Sequence, residues 1–167
     1  MGRAVTGPDA SAALRIVAAG YAEARAVGLE ELIQAEYVVR YGGPDETPMA
    51  ADEFTPPHGR FLIGYLGETA VACGGWRTHA PGTAEIKRMF VAVGARRRGL
   101  AARILAELER TAARSGFTTM VLETGDAQPE AIALYARAGY TPVEGFGYYR
   151  CAPHSVSLAK TLMTSPA

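Results

Sequence analysis

Apolar and polar positions change their period several times along the chain, and each change marks an element. The run LRIVAA at 14–19 fits a strand, although its alanines also allow a helix. Residues 22–41 carry helical spacing broken near Gly28, with Leu29, Leu32, Ile33, Tyr37 and Arg40 on one side; Gly42-Gly43-Pro44 stops the helix. Residues 49–54 suit one more short helical turn before Pro56-Pro57. The period then becomes two. RFLIGYL at 60–66 and TAVACGGW at 69–76 flank Gly67-Glu68, a two-residue hairpin connection. A turn around 79–83 returns the chain into a strand over 85–93, which completes an antiparallel meander. Gly74-Gly75 in the middle strand predicts a bulge or a close approach of other backbone.

Helical spacing resumes at residue 100. Leu100, Ile104, Leu105 and Leu108 form an apolar face, with Arg103 and Glu107 as an i,i+4 pair outside it. Ser115-Gly116 ends this helix. FTTMVLE at 117–123 has the make-up of a buried strand, and the intervening helix makes the pair a parallel βαβ crossover. Pro129 suits the first position of the next helix and Gly139 its end, before a last strand at 156–162. Residues 1–13 read as a loosely ordered leader, and 14–167 as one domain.

Composition supports that reading: 167 residues, 49% hydrophobic and 20% charged with zero formal net charge, suit one soluble α/β domain with a sizeable core. Zero net charge argues against nucleic acid as a partner, whose phosphates need a broad basic surface. No apolar run approaches the ~20 residues of a membrane span, and the start lacks the regions of a signal peptide. Cys73 and Cys151 give no disulfide framework, so a reducing cytoplasm is expected. His58, His79 and His154 have no metal-ligand spacing.

The chemistry concentrates in residues 84–108, AEIKRMFVAVGARRRGLAARILAEL. Arg96, Arg97 and Arg98 precede Gly99 where a helix begins. A helix start exposes unpaired N–H groups and carries partial positive charge. Small residues (Gly99, Ala101) let an anion approach those donors, and arginines add forked hydrogen bonds. The stretch therefore reads as a seat for a diphosphate, with a solvated basic helix start as the alternative. It is not a P-loop, because Leu100 and Ala101 stand where Lys and Ser/Thr are needed, and no G-x-G-x-x-G is present.

Arg96-Arg97-Arg98-Gly99-Leu100-Ala101 resembles the R/Q-x-x-G-x-G/A signature of the GCN5-related N-acetyltransferase (GNAT) superfamily. Ala84-Glu85-Ile86, Ala131-Ile132-Ala133-Leu134-Tyr135 and Gly139-Tyr140 follow the family's order, so the resemblance covers roughly residues 60–162. It implies a mixed sheet with helices on both faces and acetyl-CoA as donor. The implied cofactor contacts are backbone from Met89 through Phe90 and Val91 to Val93, with a bulge near Phe90 or Val91, then Arg96, Arg97, Arg98, Gly99, Leu100 and Ala101. Gln128 stands where the family commonly has an asparagine that touches the cofactor. The resemblance implies Glu85 as general base, with an ion pair to Lys87 or Arg77 as the alternative role. It implies Tyr135 as the acid that protonates the departing thiolate, with core packing as the alternative. Cys73, in an apolar strand without a histidine partner, reads as a buried thiol, so direct transfer in a ternary complex is preferred over an acetyl-cysteine.

The acceptor site is expected among Tyr37, Arg40, Tyr41, Arg88, Tyr148, Tyr149 and Arg150, where an arginine pairs with a substrate carboxylate and tyrosines wall an apolar group. Surface packing explains each of these equally well. The segments EIKRMFV and FGYYR resemble bacterial small-molecule GNAT proteins. The expectation is an acetyl-CoA-dependent N-acetyltransferase acting on a primary amine of a small molecule. Acetylation of a protein N-terminus or lysine, and a non-catalytic acyl-CoA-binding module, stay open, as does a homodimer.

Overall fold

In a computed structural model that describes residues 12–163, the meander is present and longer than the sequence implies. β1 (Leu14–Ala19), α1 (Tyr21–Ala26) and α2 (Leu29–Tyr41) precede the meander of β2 (Gly59–Leu66), β3 (Thr69–Ala80) and β4 (Thr83–Val91). Then come α3 (Leu100–Arg114), β5 (Thr119–Gly125), α4 (Pro129–Arg137), β6 (Thr141–Pro142) and β7 (Ser155–Thr161). The break between the first two helices falls at Gly28, whose φ of 81° is a conformation that glycine adopts at little cost. Residues 1–11 of the expected leader lie outside the described residues, while Ala12 packs against the core.

The strand order is β1-β2-β3-β4-β5-β7-β6. Only β4 and β5 run parallel; the other described pairs are antiparallel. α3 buries Ile104, Leu105 and Leu108 in one apolar cluster that also takes in Tyr135 of α4. Tyr21, Leu29 and Ile33 of α1 and α2 bury against Phe54, Phe61 and Cys73 in a second cluster. The mixed α/β sheet is thus packed by two separate groups of helices. Among the described residues no helix is long and apolar enough to cross a membrane.

Several boundaries move. β3 continues to Ala80 and β4 starts at Thr83, because Gly82 (φ 74°) allows a tight turn. β5 occupies 119–125 rather than 117–123. Phe117 instead closes the end of α3 through its amide, which donates to the Ala112 carbonyl at 3.1 Å, and packs edge-on to Trp76 with ring centroids 5.0 Å apart. Leu32 is 49% exposed, so it does not share the buried side of α2 with Leu29 and Ile33. The Arg103–Glu107 pair does not form: Glu107 pairs with Arg110, and Arg103 Nη2 donates to the Leu14 carbonyl at 3.4 Å. β6, only two residues long, left no signal in the sequence.

Gly74-Gly75 does mark a bulge. The β3–β4 register passes from Cys73↔Phe90 to Gly75↔Lys87, so Arg88 and Met89 together oppose Gly74. The bulge therefore sits at 88–89, just before the expected Phe90 or Val91. A Cβ on Gly75 would stand 2.6 Å from Phe61 Cδ2 and 2.8 Å from Phe54 Cδ1, whereas one on Gly74 would meet the ends of Leu108 and Met89 at 3.0 and 3.1 Å. Gly75→Ala is expected to cost about 1–3 kcal/mol through overpacking, and Gly74→Ala less, since flexible tips yield more easily than rings. Denaturant midpoints at unchanged m value measure both.

Candidate active site

β4 and β5 pair over four residues only, from Thr83↔Thr119 to Ile86↔Leu122. Beyond that point the strands part, and the bulge bends β4 away. Arg88 holds the bend with a φ of 57°, a left-handed conformation that costs a side-chain-bearing residue energy. Its guanidinium, 4% exposed, is fixed from below: Nε donates to Glu30 of α2 at 3.1 and 3.2 Å, and Nη1 to Asp45. Asp45 also accepts the Thr47 amide at 2.9 Å and the Thr47 hydroxyl at 2.6 Å. Burial alone would depress the Arg88 pKa, but Asp45 and Glu30 carry it above its ordinary value. Burial likewise opposes ionisation of Asp45; the Thr47 hydroxyl and Arg88 outweigh it and hold that carboxyl below its ordinary value.

The parted strands open into two adjoining cavities. The smaller, about 60 Å³, lies between Ile86–Met89 on β4 and Leu122–Thr124 on β5, with Tyr135 on its wall. The larger, about 650 Å³, is bounded by α2, the 42–47 loop, the end of β5 and residues 152–155. Tyr37, Asp45, Lys87, Glu123, Thr124 and Gln128 border both.

Two neighbouring carboxylates stand under different conditions: Glu123 borders both cavities and Glu85 borders neither. Glu85, 3% exposed, accepts Arg77 Nε at 2.9 Å and has Lys87 Nζ at 3.5 Å, which is the ion-paired arrangement set beside its role as base. Glu123 was not singled out in the sequence. Both its carboxylate oxygens are buried without a hydrogen-bond partner, and the nearby Tyr149 amide offsets their isolation only in part. Burial, reinforced by Glu85 and Asp45 against Lys87, raises its pKa above the ordinary carboxylate value. Gly147 (φ 72°) covers it so closely that a Cβ there would lie 2.6 Å from Glu123 Oε1. Tyr135 is buried edge-on to Tyr140, and burial raises its pKa, so the phenol stays protonated.

The start of α3 has the geometry of an anion seat. Gly99 (φ 74°) is its N-cap, and no side chain caps the helix, so the first-turn N–H groups stay open. A Cβ at Gly94 or Gly99 would meet nothing within 4 Å, and Arg97 (φ 62°) turns the backbone there. Leu100 is buried and Ala101 half-buried, which leaves their amides as the available groups. Arg97 and Arg98 are exposed, but Arg96 turns inward: its Nε donates to the Val91 carbonyl at 2.8 Å and its Nη2 to Glu36 at 2.5 Å, over the Phe90 ring. Met89 packs against the first apolar cluster and Phe90 against the second. Val93 is 75% exposed in a short 3₁₀ turn after β4 has ended, so it is not part of the strand edge.

Of the expected acceptor residues, Tyr37, Arg40, Tyr41 and Tyr149 border the large cavity and Arg88 the small one. Tyr148 (55% exposed) and Arg150 border neither. Arg40 is already committed: it pairs with Glu36 at 2.8 Å and with Glu130, and donates to the Ala127 carbonyl at 2.6 Å. Arg88 is equally occupied, so neither arginine offers a free fork to a substrate carboxylate. Gln128, the N-cap residue of α4, accepts the Thr124 hydroxyl at 3.2 Å and the Tyr41 hydroxyl at 3.3 Å. Cys73 is fully buried with its thiol pKa pushed up by burial, and Sγ donates to the Arg88 carbonyl at 3.3 Å, so it is no nucleophile.

An opening between a bulged strand and its parallel neighbour, with a helix start at one end, fits a long, phosphate-bearing acyl carrier. Comparison with known proteins agrees. Residues 26–140 match the model of the Acetyltransferase (GNAT) family. An IAA acetyltransferase of Azospirillum brasilense is 36% identical over 107 residues, which covers 64% of this chain and 70% of that protein. A Klebsiella pneumoniae structure described as an acyl-CoA N-acyltransferase superposes with a TM-score of 0.70 at 29% identity, covering 93% of this chain and all of the other. The PaiA N-acetyltransferase of Thermoplasma acidophilum, solved with coenzyme A, shares the fold at a TM-score of 0.67 and 12% identity, over 89% of this chain and 99% of its own. The chain belongs to the GNAT family and is an acyl-CoA-dependent N-acetyltransferase.

Asp45→Asn removes one of the two carboxylates that hold Arg88, and a loss of about 1–3 kcal/mol is expected at neutral pH. Because the folded-state pKa of Asp45 is lowered, its contribution is complete above the unfolded value of ~3.9 and disappears as pH falls through the folded value. The stability gap between wild type and variant should therefore close below about pH 4, as denaturation curves at pH 7 and pH 3 will show.

Proposed function

We propose that the chain transfers the acetyl group of acetyl-CoA to a primary amine of a small molecule, directly, in a ternary complex. One observation carries this reading: the unpartnered Glu123 carboxylate and the Tyr135 phenol border the same small cavity inside the β4–β5 opening. The opening and the uncapped α3 start fit CoA. The diphosphate would lie against the amides of Gly99, Leu100 and Ala101 with Arg97 and Arg98 beside it, and the pantetheine along the unpaired edge of β4 from Met89 to Val91. The solved CoA complex of PaiA and the acceptor named for the Azospirillum protein support a small-molecule transferase.

The residues divide the proton work. Glu123, raised in pKa by burial, takes the proton from the incoming ammonium; only the neutral amine attacks. Glu85, locked between Arg77 and Lys87, acts as a fixed negative charge that makes Glu123 more basic. Backbone N–H groups after the bulge face the carbonyl oxygen as charge develops on it. Tyr135 stays protonated through burial and donates to the departing sulfur.

Glu123→Gln is expected to lower kcat by about 10²–10⁴ and to remove the acid limb of its pH profile, a limb that in wild type lies above the usual carboxylate range of ~4.3. Glu85→Gln should keep most of the activity and move that limb to lower pH, because it deletes a charge that raises the Glu123 pKa. Tyr135→Phe should lower kcat and spare acetyl-CoA binding. Thiol release across amines and peptides measures all three. Loss of the limb in Glu85→Gln alone would return the base to Glu85, and turnover of peptides alone would make the protein a protein acetyltransferase.

A further inference from the structure

Every cation on the wall of the large cavity is committed to a partner. Arg40 is held by Glu36, Glu130 and the Ala127 carbonyl, Lys87 stands beside Glu85, and His154 Nδ1 lies 2.9 Å from Asp126. The carboxylates are not balanced in the same way. Glu123 has no partner, and Glu46 stands on the wall outside any ion pair among the described residues. Asp45 shares the single charge of Arg88 with Glu30, which lies behind the wall, and among the described residues Asp126 has only the His154 ring beside it. The wall therefore carries excess negative charge. It also carries the rings of Tyr37, Tyr41 and Tyr149, whose faces attract cations. Ser155 Oγ, buried without a partner, stands on the same face as Glu123, since Gly125 pairs with Ser155 and Glu123 with Ser157.

The reacting amino group cannot use this field at the moment of attack, because it must first become neutral. Only a second charge on the same molecule gains from the wall while the first amine reacts. We infer that the acceptor is an aliphatic di- or polyamine, held by its remote ammonium against Glu46, Asp126 and the tyrosine rings while its near amine faces Glu123; this rests on the small-molecule transferase reading above. A carboxylate at the remote end meets no uncommitted guanidinium there and is repelled. The cavity, about 650 Å³, is of the size that small-molecule sites commonly have.

Three acceptors of one length separate the possibilities when CoA release is followed with the full chain and saturating acetyl-CoA: cadaverine, pentylamine and aminovaleric acid. They present at the far end an ammonium, a methyl group or a carboxylate. The expected kcat/KM for cadaverine exceeds that for pentylamine by about tenfold or more, with aminovaleric acid the poorest, and added salt narrows the gap. Glu46→Gln should shrink the cadaverine-to-pentylamine ratio about fivefold, as loss of an exposed ion pair does. Equal turnover of cadaverine and pentylamine, or preference for aminovaleric acid, overturns the inference and leaves the transferase reading standing. Acetyl-CoA binding with no acetylation of any of the three overturns that reading and the inference together.

Discussion

Two parallel strands that stop pairing after four residues leave a row of backbone N–H and C=O groups without sheet partners, and the site is built from that gap. Such a gap costs free energy unless something prevents the strands from zipping closed. Here the preventing element is the bulge at Arg88 and Met89. Its left-handed Arg88 costs ~1–3 kcal/mol on its own, and the buried pairs to Glu30 and Asp45 offset that cost. Gly74 across the bulge removes the side chain that would collide with Leu108 and Met89. Through one guanidinium, α2 and the 43–47 loop, which line the large cavity, are fastened to the bent strand β4.

The electrostatics follow from that arrangement. Glu85 and Lys87 alternate along β4, and the parallel register places Val121, and hence Glu123 two residues on, on the same face. Three charged groups thus share a small volume, and Glu85 has two cations while Glu123 has none of its own. A carboxylate kept dry and unpaired is a poor stabiliser and a good proton acceptor. Glu36 links two parts of the fold: Arg96, just before α3, and Arg40, on the wall of the large cavity, both donate to it.

Local features of this fold were legible in the chain because their causes are local. The stop at Gly28, the hairpin at Gly67, the apolar face of α3 and the uncapped helix start at Gly99 each depend on a few consecutive residues. Glu123 was hidden for the opposite reason. Its isolation depends on how β5 registers against β4 and on Gly147 arriving from a later loop, and neither is written in the strand itself. The sequence did hold one clue, since a βαβ crossover with Glu85 on one strand lets the parity of the other be counted. Arg40 and Arg88 looked free because, Glu36 apart, their partners come from far along the chain: Ala127 lies 87 residues from Arg40, and Glu30 lies 58 from Arg88. Tyr148 and Arg150 lay within an aromatic, basic segment whose turn leaves them exposed, and of Tyr148, Tyr149 and Arg150 only Tyr149 borders the large cavity.

The most direct test is a crystal structure of the protein with coenzyme A. The sulfur is expected in the small cavity between the 86–89 and 122–124 segments, within hydrogen-bond reach of Tyr135 Oη, with the diphosphate against the amides that open α3. β4 and β5 paired beyond Ile86 and Leu122, or a ligand seated away from Gly99, would contradict the account.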